Sequence, residues 1–473
     1  EKICPAHGQF RDLYWSDVYL YEKAERWFFS EGVGFENPLT ENPGRCPEYC
    51  GLCQRHRSWT CLANIDLTNR CNLTCPICFA NANVTGYRCE PSFEEAVAML
   101  RRLRALRPAP CTAIQFTGGE PTLHPRFFDI LAAARELGFS HIQIASNGLK
   151  LASEEFTRRC VQAGLHTVYL QFDGVGDAPY ELTRGRRLWQ QKCQAIENIH
   201  RAGMKIVLVP TIVRGLNDDQ VGPILQFAIA NRHVISGISY QPVCFTGRID
   251  RDQRLRQRFT LPDLVHAIEA QTGILEAHRD WYPLACIAPF PQFLAALRGL
   301  PMPSATCHPH CSLGTFIYVD RAGRTYPITR FLDVERALTR LHQLNCGLGR
   351  VPKLRDKVSV FLLHETLKRC FRPEAAPPDL SLEDFIDSLL GLVEKDIGRS
   401  HKWQELGIEY LFVAGMHFMD LYNYEVERAE RCVIHYAALD GRLYPFCTYN
   451  SGPTYRERVE RAYAVPLTQA DLT

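Results

Sequence analysis

The sequence has little net charge, no long apolar run and no secretory signal. Its 473 residues include 54 Lys and Arg and 52 Asp and Glu, so the formal net charge is +2 and bulk charge gives no attraction to nucleic acid. No segment reaches the roughly 18 uninterrupted apolar residues of a membrane-spanning helix. Internal repeats and low-complexity tracts are also absent. These absences predict a globular, cytoplasmic protein of two or three folding units that does not bind nucleic acid.

Cysteine, in contrast, is abundant, with 20 residues. A disulfide scaffold accounts for many cysteines in small secreted domains, but this chain is too long for that class. Several of the cysteines are spaced two or three residues apart. This spacing favours metal ligation over cross-linking.

Predicted strands and helices alternate in the first two thirds of the chain. Alternation of this kind indicates a parallel sheet covered by helices. About six βα units fit an α/β fold, a partial (β/α)6 TIM-like barrel, whose chemistry lies at the carboxyl ends of its strands. Apolar, β-branched runs predict strands at 62–68, 112–117, 141–146, 166–172, 204–212 and 234–241. Apolar residues with a 3.6-residue period predict helices at 93–106, 127–137, 154–163, 188–202 and 219–231.

After residue 301 this alternation ends. Helices are predicted at 358–371, 382–395 and 410–425. Asp440 and Gly441 separate two short apolar runs, 434–438 and 443–446, which predicts a closing β-hairpin.

The most specific motif is Cys71-x3-Cys75-x2-Cys78, which directly follows the first predicted strand. Three thiolates bind three irons of a cubane and leave the fourth iron open, as a catalytic centre requires. The alternative is a zinc site with a distant fourth ligand. The spacing resembles that of the radical S-adenosylmethionine superfamily. In that family the open iron chelates the amino and carboxylate groups of S-adenosylmethionine.

Further segments at the ends of predicted strands resemble the cofactor-binding positions of that family. Residues 117–121, Thr-Gly-Gly-Glu-Pro, match its Gly-Gly-Glu motif, in which glycines allow a close backbone approach and Glu120 is expected to receive the ammonium group. Ser146 and Asn147 match the ribose-contacting position. The resemblance implies cofactor contacts from Phe79, Thr117, Gly118, Gly119, Glu120, Ser146, Asn147, Gln171, Asp173 and Thr211.

Two more cysteine groups flank the catalytic triplet. Cys46, Cys50, Cys53 and Cys61 provide four thiolates, which suit a saturated electron-transfer cubane or one zinc ion, with His56 as an alternative ligand. Residues 307–311, Cys-His-Pro-His-Cys, provide only two thiolates and need partners. The candidates for this second auxiliary cluster are Cys307, Cys311, Cys432 and Cys447, with Cys286 as a competitor.

Cys4 and His7 form half of a mononuclear metal knuckle. The second half is not in the sequence and is expected upstream of Glu1, as part of a rubredoxin-like module that binds iron or zinc. The alternative is an unpaired Cys and His on a loop.

Longer segments resemble one branch of the superfamily, the tetraether lipid synthases and their relatives. They are residues 46–80, 170–174, 209–218, 307–311 and 444–450. This resemblance implies three [4Fe–4S] clusters, S-adenosylmethionine and one mononuclear iron or zinc. It divides the chain into a rubredoxin-like remnant (1–40), an auxiliary cluster segment (41–62), the barrel (63–300) and a C-terminal auxiliary-cluster domain (301–473).

The resemblance implies a transferase of lipid biosynthesis that forms C–C bonds. A 5′-deoxyadenosyl radical would abstract hydrogen from unactivated lipid tail carbons, and two tails would join by an sp3–sp3 bond. The expected partners are a lipid substrate, an electron donor such as ferredoxin or flavodoxin, and the membrane surface. The apolar stretches 358–363 and 411–416 would line a lipid tunnel or contact the membrane.

Two alternatives remain open at this stage. One is radical methylation or another C–H functionalisation of a small molecule such as a pterin. The other, from a different class, is an iron–sulfur electron carrier, which would need neither the Gly-Gly-Glu motif nor an open three-cysteine site.

Overall fold

The secondary structure follows the apolar patterning over most of the chain. A computed structural model describes residues 1–29, 34–40, 45–83, 86–299, 301–348, 355–391, 408–452 and 455–467. The strands are β1 (Lys2–Cys4), β2 (Gly8–Phe10), β3 (Leu62–Thr68), β4 (Tyr87–Arg88), β5 (Ala113–Gly118), β6 (His141–Ser146), β7 (Thr167–Gln171), β8 (Lys205–Val209), β9 (Thr211–Ile212), β10 (Ile235–Pro242), β11 (Tyr282–Pro283), β12 (Ser312–Val319), β13 (Thr325–Pro327), β14 (Glu409–Met416), β15 (Ile434–Ala437), β16 (Leu443–Pro445) and β17 (Val465–Pro466).

Helices connect and cover these strands. They are α1 (Val18–Arg26), α2 (Phe93–Arg104), α3 (Phe127–Glu136), α4 (Glu154–Ala163), α5 (Ala178–Arg184), α6 (Trp189–Arg201), α7 (Val221–Ala230), α8 (Arg254–Gln257), α9 (Leu261–Thr272), α10 (Ala277–Asp280), α11 (Pro289–Arg298), α12 (Ile328–Phe331), α13 (Val334–Leu348), α14 (Arg355–Lys368), α15 (Leu382–Gly391), α16 (Val426–Glu430), α17 (Phe446–Ser451) and α18 (Tyr455–Tyr463). Short 3-10 turns lie at Pro121–Leu123, Lys150–Ala152, Asp218–Gln220, Leu284–Ile287, Pro309–Cys311 and Pro373–Ala375.

Thirteen strands form one large sheet in the described part of the chain. Strands β3, β5, β6, β7, β8 and β10 are parallel neighbours in sequence order. Each successive pair is joined by a crossover with at least one helix, as parallel neighbours require. The prediction of a mixed α/β protein with a large parallel sheet is therefore confirmed.

Strands from the C-terminal third extend both sides of this parallel set. Strand β14 pairs with β10 in parallel, and β12 pairs with β14 antiparallel. On the other side, β15 pairs with β3 in parallel and with β16 antiparallel. The predicted hairpin is confirmed, with Ala437 opposite Leu443 and Gly441 at a φ of +84° in the turn.

The prediction of a helix at 410–425 is wrong, because residues 409–416 form strand β14. Leu411 and Val413 are buried in the main core, and the strand lies between β10 and β12. A short apolar run has the same composition whether it forms a buried strand or a buried helix, so periodicity does not separate the two. The stretch 411–416 is therefore interior sheet and offers no surface to a membrane.

The other two C-terminal helices are α14 and α15. The predicted residues 392–395 lie outside the described residues. Leu363 of α14 is buried in a second core, which also contains Phe331 and Phe385, whereas Phe361 is exposed. In the part of the chain that the structure describes, no helix is long and apolar enough to cross a membrane.

Candidate catalytic centre

The two faces of the parallel sheet differ in chemistry. Along β3, Ala63, Ile65 and Leu67 are buried in the main core, so Asn64 and Asp66 lie on the opposite face. The neighbouring strands repeat this alternation. One face of the sheet therefore packs against the helices. The other face bears polar side chains along the strands, up to the loops at their carboxyl ends.

The loop after β3 brings the catalytic triplet together. Cys71, Cys75 and Cys78 belong to one packed group with Leu73 and Tyr180. Burial, and then the neighbouring charge of Glu120, raise the pKa of the Cys71 thiol to about 12. The thiolates that bind iron are thus costly here without a cation, and metal binding must release their protons.

Two residues that the sequence did not single out fix the shape of this loop. The side chain of Asn83 accepts a hydrogen bond from Cys71 N (2.9 Å) and donates to Cys71 O (2.8 Å) and Leu73 O (3.1 Å). Arg248 Nε donates to Cys75 O (2.6 Å), and the backbones of Arg248 and Cys78 exchange two hydrogen bonds of 2.9 Å. The positions of the three thiols are therefore set by the protein's own hydrogen bonds.

The Gly-Gly pair brings the end of β5 against the start of the cysteine loop. A Cβ on Gly118, whose φ is +134°, would lie 2.2 Å from Thr68 O, and a Cβ on Gly119 would lie 2.2 Å from Arg70 O. Only glycine fits both positions. The close approach that these glycines allow is an approach to the backbone that leads to Cys71.

Glu120 is buried and holds two strand ends together. Its Oε1 atom accepts hydrogen bonds from Thr122 Oγ1 (2.7 Å) and Ser146 Oγ (2.9 Å), and its Oε2 atom accepts from Asn147 N (2.9 Å). Burial raises the pKa of Glu120, and these donors oppose the rise. Three predicted residues, Glu120, Ser146 and Asn147, are thus brought into one network.

Lys192 links this network to the next strand, and the sequence analysis missed it. Its buried Nζ atom donates to Asn147 O (2.7 Å), Gln171 O (2.6 Å) and Gln171 Oε1 (2.7 Å). Burial lowers the pKa of Lys192 to about 7. The one sequence signal was a lysine on the apolar stripe of helix α6.

Asp173 anchors a second network with Gln171 and Thr211. Its carboxylate accepts from Gln171 Nε2 (2.6 Å), Thr211 N (3.1 Å) and Arg184 (2.9 Å to one guanidinium nitrogen). Burial acts to raise the pKa of Asp173, but Arg184 reverses this and the net direction is down. The guanidinium of Arg184 also lies near Cys75 and Cys78, so it places a positive charge beside the thiols.

Phe79 contacts the C-terminal part of the chain. Its ring stacks on Phe446, with 5.4 Å between centroids, and lies 6.1 Å from Phe418. Thr117 faces Asp66 across neighbouring strands. These two predicted residues lie apart from the networks of Glu120 and Asp173.

The structure brings together three of the four cysteines predicted for the first auxiliary site. Cys46, Cys50 and Cys53 line one pocket with Glu430 and Pro445. Burial, and then Cys46, raise the pKa of Cys50 to about 12. These three thiols form a compact group where the segment 46–56 meets residues 429–445.

Cys61 lies apart from that pocket. It packs beside Cys307, and its thiol donates to Ser304 O (3.2 Å). His56 lines the pocket, but its Nε2 atom lies 2.8 Å from Cys432 O and 3.0 Å from His435 Nε2. Cys61, the expected fourth ligand of the first auxiliary site, therefore lies with the third cysteine group instead.

The third group contains Cys307, Cys311, Cys432 and Cys447. Burial raises the pKa of Cys307, followed by the charges of Cys311, Cys61 and Cys432. Burial also raises the pKa of Cys447 to about 11, with Cys311 adding to the rise and Arg428 opposing it. The competitor Cys286 packs in a separate group with Trp27 and Leu338.

Cys4 and His7 meet in the turn between β1 and β2. The Cys4 thiol lies 3.2 Å from His7 Nδ1, and both side chains are solvent-accessible. This pair is consistent with half of a metal knuckle and equally with a plain thiol–imidazole hydrogen bond.

Comparison with known proteins defines the class of this site. The family model described as "Radical SAM superfamily" matches residues 65–228. A protein of Methanocaldococcus jannaschii described as 7,8-dihydro-6-hydroxymethylpterin dimethyltransferase is 41% identical over 470 residues, 99% of this chain and 91% of the relative. The chain belongs to the radical S-adenosylmethionine superfamily and is an enzyme of that class, which implies a [4Fe–4S] cluster and S-adenosylmethionine.

Two more distant similarities were also found. GTP 3′,8-cyclase of Chlorobaculum tepidum is 26% identical over 247 residues, 51% of this chain and 68% of the relative. Among solved structures, Streptococcus suis SuiB bound to S-adenosylmethionine is 18% identical, with a TM-score of 0.36 over 46% of this chain and 44% of that one.

The expected lipid chemistry is wrong. A relative that spans nearly the whole chain is described as a pterin dimethyltransferase, so a tetraether synthase activity, a lipid substrate, contact with a membrane surface and a role in lipid biosynthesis are not supported. The apolar stretch 411–416, offered as lipid access, is interior sheet. The lipid prediction depended on the spacing of the cysteines. Such spacing indicates the kind of cofactor and fold but not the substrate, which explains the error.

Proposed function

We propose that this enzyme methylates carbon atoms of a dihydropterin by radical C–H functionalisation. The full-length similarity to a pterin dimethyltransferase supports this substrate class. The match covers 99% of this chain, so it includes the segments that would bind the substrate.

The observation that carries the proposal is the polar face of the sheet. Gln143 Nε2 donates to Gln115 Oε1 (2.6 Å), and Gln115 Nε2 donates to Asn64 Oδ1 (3.1 Å). Farther along the same sheet, Tyr169 OH donates to Ser239 Oγ (2.5 Å). These groups satisfy one another, but Asn64 Nδ2 is buried and has no hydrogen-bond partner among the described residues. A lipid tail on this face would leave that donor unsatisfied, at a cost in free energy, whereas the ring edge of a pterin offers acceptors.

Exposure along this face points to the end where the substrate would bind. Asn64 and Gln115 are buried, whereas Asp66, Thr117 and Gln171, which lie nearer the carboxyl ends of their strands, are half-buried. That end also carries the loop of the catalytic triplet. Substrate bound there would lie between the polar face and Cys71, Cys75 and Cys78.

The fold and cofactor assignments of the sequence analysis become parts of this proposal. The parallel strands would form a partial (β/α)6 barrel that spans residues 63–300. Cys71, Cys75 and Cys78 would hold the cluster, because one buried thiol and two half-buried ones converge beside the cation of Arg184. The cluster supplies one electron for reductive cleavage of the cofactor.

The chain's own residues would orient the cofactor. Glu120, Ser146 and Asn147 fix one side of its site, and Asp173 fixes Arg184 on the other. Lys192 holds both loops at a fixed separation. Auxiliary clusters are proposed at Cys46/Cys50/Cys53 and at Cys307/Cys311/Cys432/Cys447.

The proposal is tested by anaerobic incubation of reconstituted protein with 7,8-dihydro-6-hydroxymethylpterin, S-adenosylmethionine, a one-carbon donor and a reductant. We expect pterin products heavier by one and two methylene units, together with 5′-deoxyadenosine, in mass spectrometry. The control variant, Cys71→Ala with Cys75→Ala and Cys78→Ala, should give neither. Formation of 5′-deoxyadenosine without any pterin product would overturn the substrate while leaving the class intact.

The polar face gives a sharper prediction. Gln115→Leu removes the central amide of the buried chain, so we expect a higher KM for the pterin with unchanged 5′-deoxyadenosine formation in its absence. Gln162→Leu, at an exposed position on α4, is the matched control. An unchanged KM in Gln115→Leu would argue against substrate binding on this face.

A further inference from the structure

A cluster of histidine and glutamate side chains lies outside the proposed catalytic centre. It is formed where helix α1 meets the 3-10 turn Pro309–Cys311 and the start of helix α16. Ligand atoms from Glu25, His308 and His310 lie within 4.8 Å of one another, and the same holds for His308, Glu425 and Glu427. We call these five residues the His–Glu cluster.

The hydrogen bonds around His310 define which of its ring nitrogens is free. Tyr14 OH donates its single proton to Glu425 Oε2 at 2.6 Å. His310 Nδ1 lies 3.3 Å from the same hydroxyl, so it must be the donor of that contact. A neutral His310 therefore keeps an unprotonated lone pair on Nε2.

That lone pair has no hydrogen-bond partner among the described residues. His310 is 2% exposed, and its Nε2 atom is buried and unsatisfied. Glu25 Oε1 lies 2.9 Å away, but off the direction in which a proton on Nε2 would point. Two acceptors this close repel each other unless a cation lies between them.

A metal ion is compatible with this spacing. Ligand bonds of roughly 2.0–2.2 Å to nitrogen and oxygen at the tetrahedral angle of zinc place the two atoms about 3.4 Å apart, so His310 Nε2 and Glu25 Oε1, which lie 2.9 Å apart, would need to separate by only about 0.5 Å. Imidazole together with carboxylate suits divalent transition metals. The Tyr14–Glu425 pair behind His310 is the kind of outer hydrogen bond that orients a metal-binding histidine.

We propose that His310, His308 and Glu25 bind one divalent transition-metal ion, for which Zn²⁺ is the probe. Because His308 Nδ1 accepts a hydrogen bond from His310 N (3.2 Å), His308 would bind the ion through Nδ1 in place of that contact. The ion would tie helix α1 to the turn that carries Cys311. Glu25 is half-exposed and gives the ion a route from solvent.

Neighbouring charges define the limits of the site. Arg431 and Arg57 pair with Glu427, at 3.2 and 3.7 Å, so Glu427 is a neighbour of the ion and not a ligand. The buried Arg428 lies with its guanidinium over the ring of Tyr14. The carboxylates of Glu25 and Glu425 offset that positive charge.

The rings of Tyr14, Trp15 and Tyr21 pack around His310, with centroids 5.5, 5.1 and 4.3 Å from its own. They shield the imidazole from solvent. The site therefore opens toward one carboxylate, which makes Glu25 the most informative position for substitution.

The test uses reconstituted full-length protein titrated with Zn²⁺, with zinc, iron and sulfide measured per chain after desalting. We expect one tightly held zinc in the unaltered protein and its loss in Glu25→Gln and His310→Gln, with iron unchanged. Tyr14→Phe should weaken zinc binding by roughly 10- to 100-fold. Glu22→Gln, an exposed glutamate on the same helix, should bind zinc normally.

X-ray absorption at the zinc edge separates this site from the nearby thiols. Nitrogen and oxygen ligands at about 2.0–2.2 Å support the His–Glu cluster, whereas a sulfur shell at about 2.3 Å would overturn it. Equal zinc binding by Glu25→Gln and the unaltered protein would also overturn it. Because Glu25 is half-exposed, its variant keeps the test decisive even where His310→Gln fails to fold.

Discussion

Lys192 shows how one buried residue can organise two loops. Its three hydrogen bonds to Asn147 and Gln171 place a positive charge between the ends of β6 and β7. Lys192→Met keeps the length of the side chain but leaves those buried acceptors without a donor. We expect a loss of about 2–4 kcal/mol in the free energy of unfolding and weaker S-adenosylmethionine binding, measured by urea denaturation and calorimetry.

The control is Lys205→Met. Lys205 donates to a single carbonyl, that of His233, at the opposite end of the sheet. It should keep the cofactor affinity of the unaltered protein. Equal cofactor binding by Lys192→Met and Lys205→Met would contradict the role given to Lys192.

The buried pair of His56 and His435 predicts acid sensitivity. Their Nε2 atoms are 3.0 Å apart. Burial lowers the pKa of His56 to about 4, and burial and then His56 lower the pKa of His435 well below its usual range. Below pH 6.5 the unfolded chain binds protons that the folded chain does not. The free energy of unfolding should therefore fall as the pH drops from 6.5 toward 4, by up to about 1.4 kcal/mol per pH unit for each imidazole.

Urea denaturation between pH 6.5 and 5 checks this prediction. His435→Gln should flatten the pH dependence, whereas His200→Gln, at an exposed position, should preserve it. A slope that is the same in all three proteins would show that the imidazole pair is not responsible.

At the scale of elements, the junction between β5 and the cysteine loop is packed so closely that its two glycines have no space for a Cβ. Gly119→Ala would push a Cβ against Arg70 O and displace the loop that carries Cys71. We expect a loss of roughly 3 kcal/mol in the free energy of unfolding and less iron per chain after reconstitution. Both quantities are measurable on the same preparation.

Gly203→Ala is the comparison for that variant. Gly203 has a φ of +74° but open space around it, so alanine there costs only the left-handed conformation, about 1–2 kcal/mol. Its iron content should be unchanged. Normal cluster loading in Gly119→Ala would mean that the loop tolerates the displacement.

The elements most open to prediction were those with a clear period. Strands β3, β5 and β6 and helix α4 lie within a residue of their predicted bounds, because short β-branched runs alternate with amphipathic helices there. Strand β14 was predicted as a helix, because its neighbours β10 and β12, which pair with its two edges, are distant in sequence. Pairing of that kind leaves no local signal.

The residues of the candidate site also differ in whether the sequence could predict them. Cys71, Cys75 and Cys78 were predictable, because the spacing of the thiols is itself the chemical requirement. Arg184 and Lys192 were not, because an arginine at the end of one helix and a lysine within the next become significant only when the fold turns them toward the site. The prediction of a lipid substrate was wrong because it depended on the spacing of cysteines, which carries no information about the substrate.

For the whole molecule, the C-terminal third completes the sheet on both sides. Strand β14 covers the edge of β10, and β15 covers the edge of β3. A chain that ends at residue 300 would expose both edges, and unpaired parallel strands readily associate with other chains. We therefore expect the 1–300 fragment to aggregate, as measured by sedimentation, while the full chain stays dispersed under the same conditions.

A dispersed, folded fragment would contradict this prediction and favour an independent barrel domain. Circular dichroism of the soluble fraction distinguishes a folded fragment from an unfolded one.

The pocket of Cys46, Cys50 and Cys53 has a consequence for biosynthesis. Its wall includes Glu430 and Pro445, which the ribosome adds nearly four hundred residues after the cysteines. At about 5–20 residues per second, the thiols wait on the order of tens of seconds before that wall exists. Until then these cysteines are exposed to oxidants and to competing metals, so a cluster of the kind proposed for this pocket would be loaded only after residue 445 has been added.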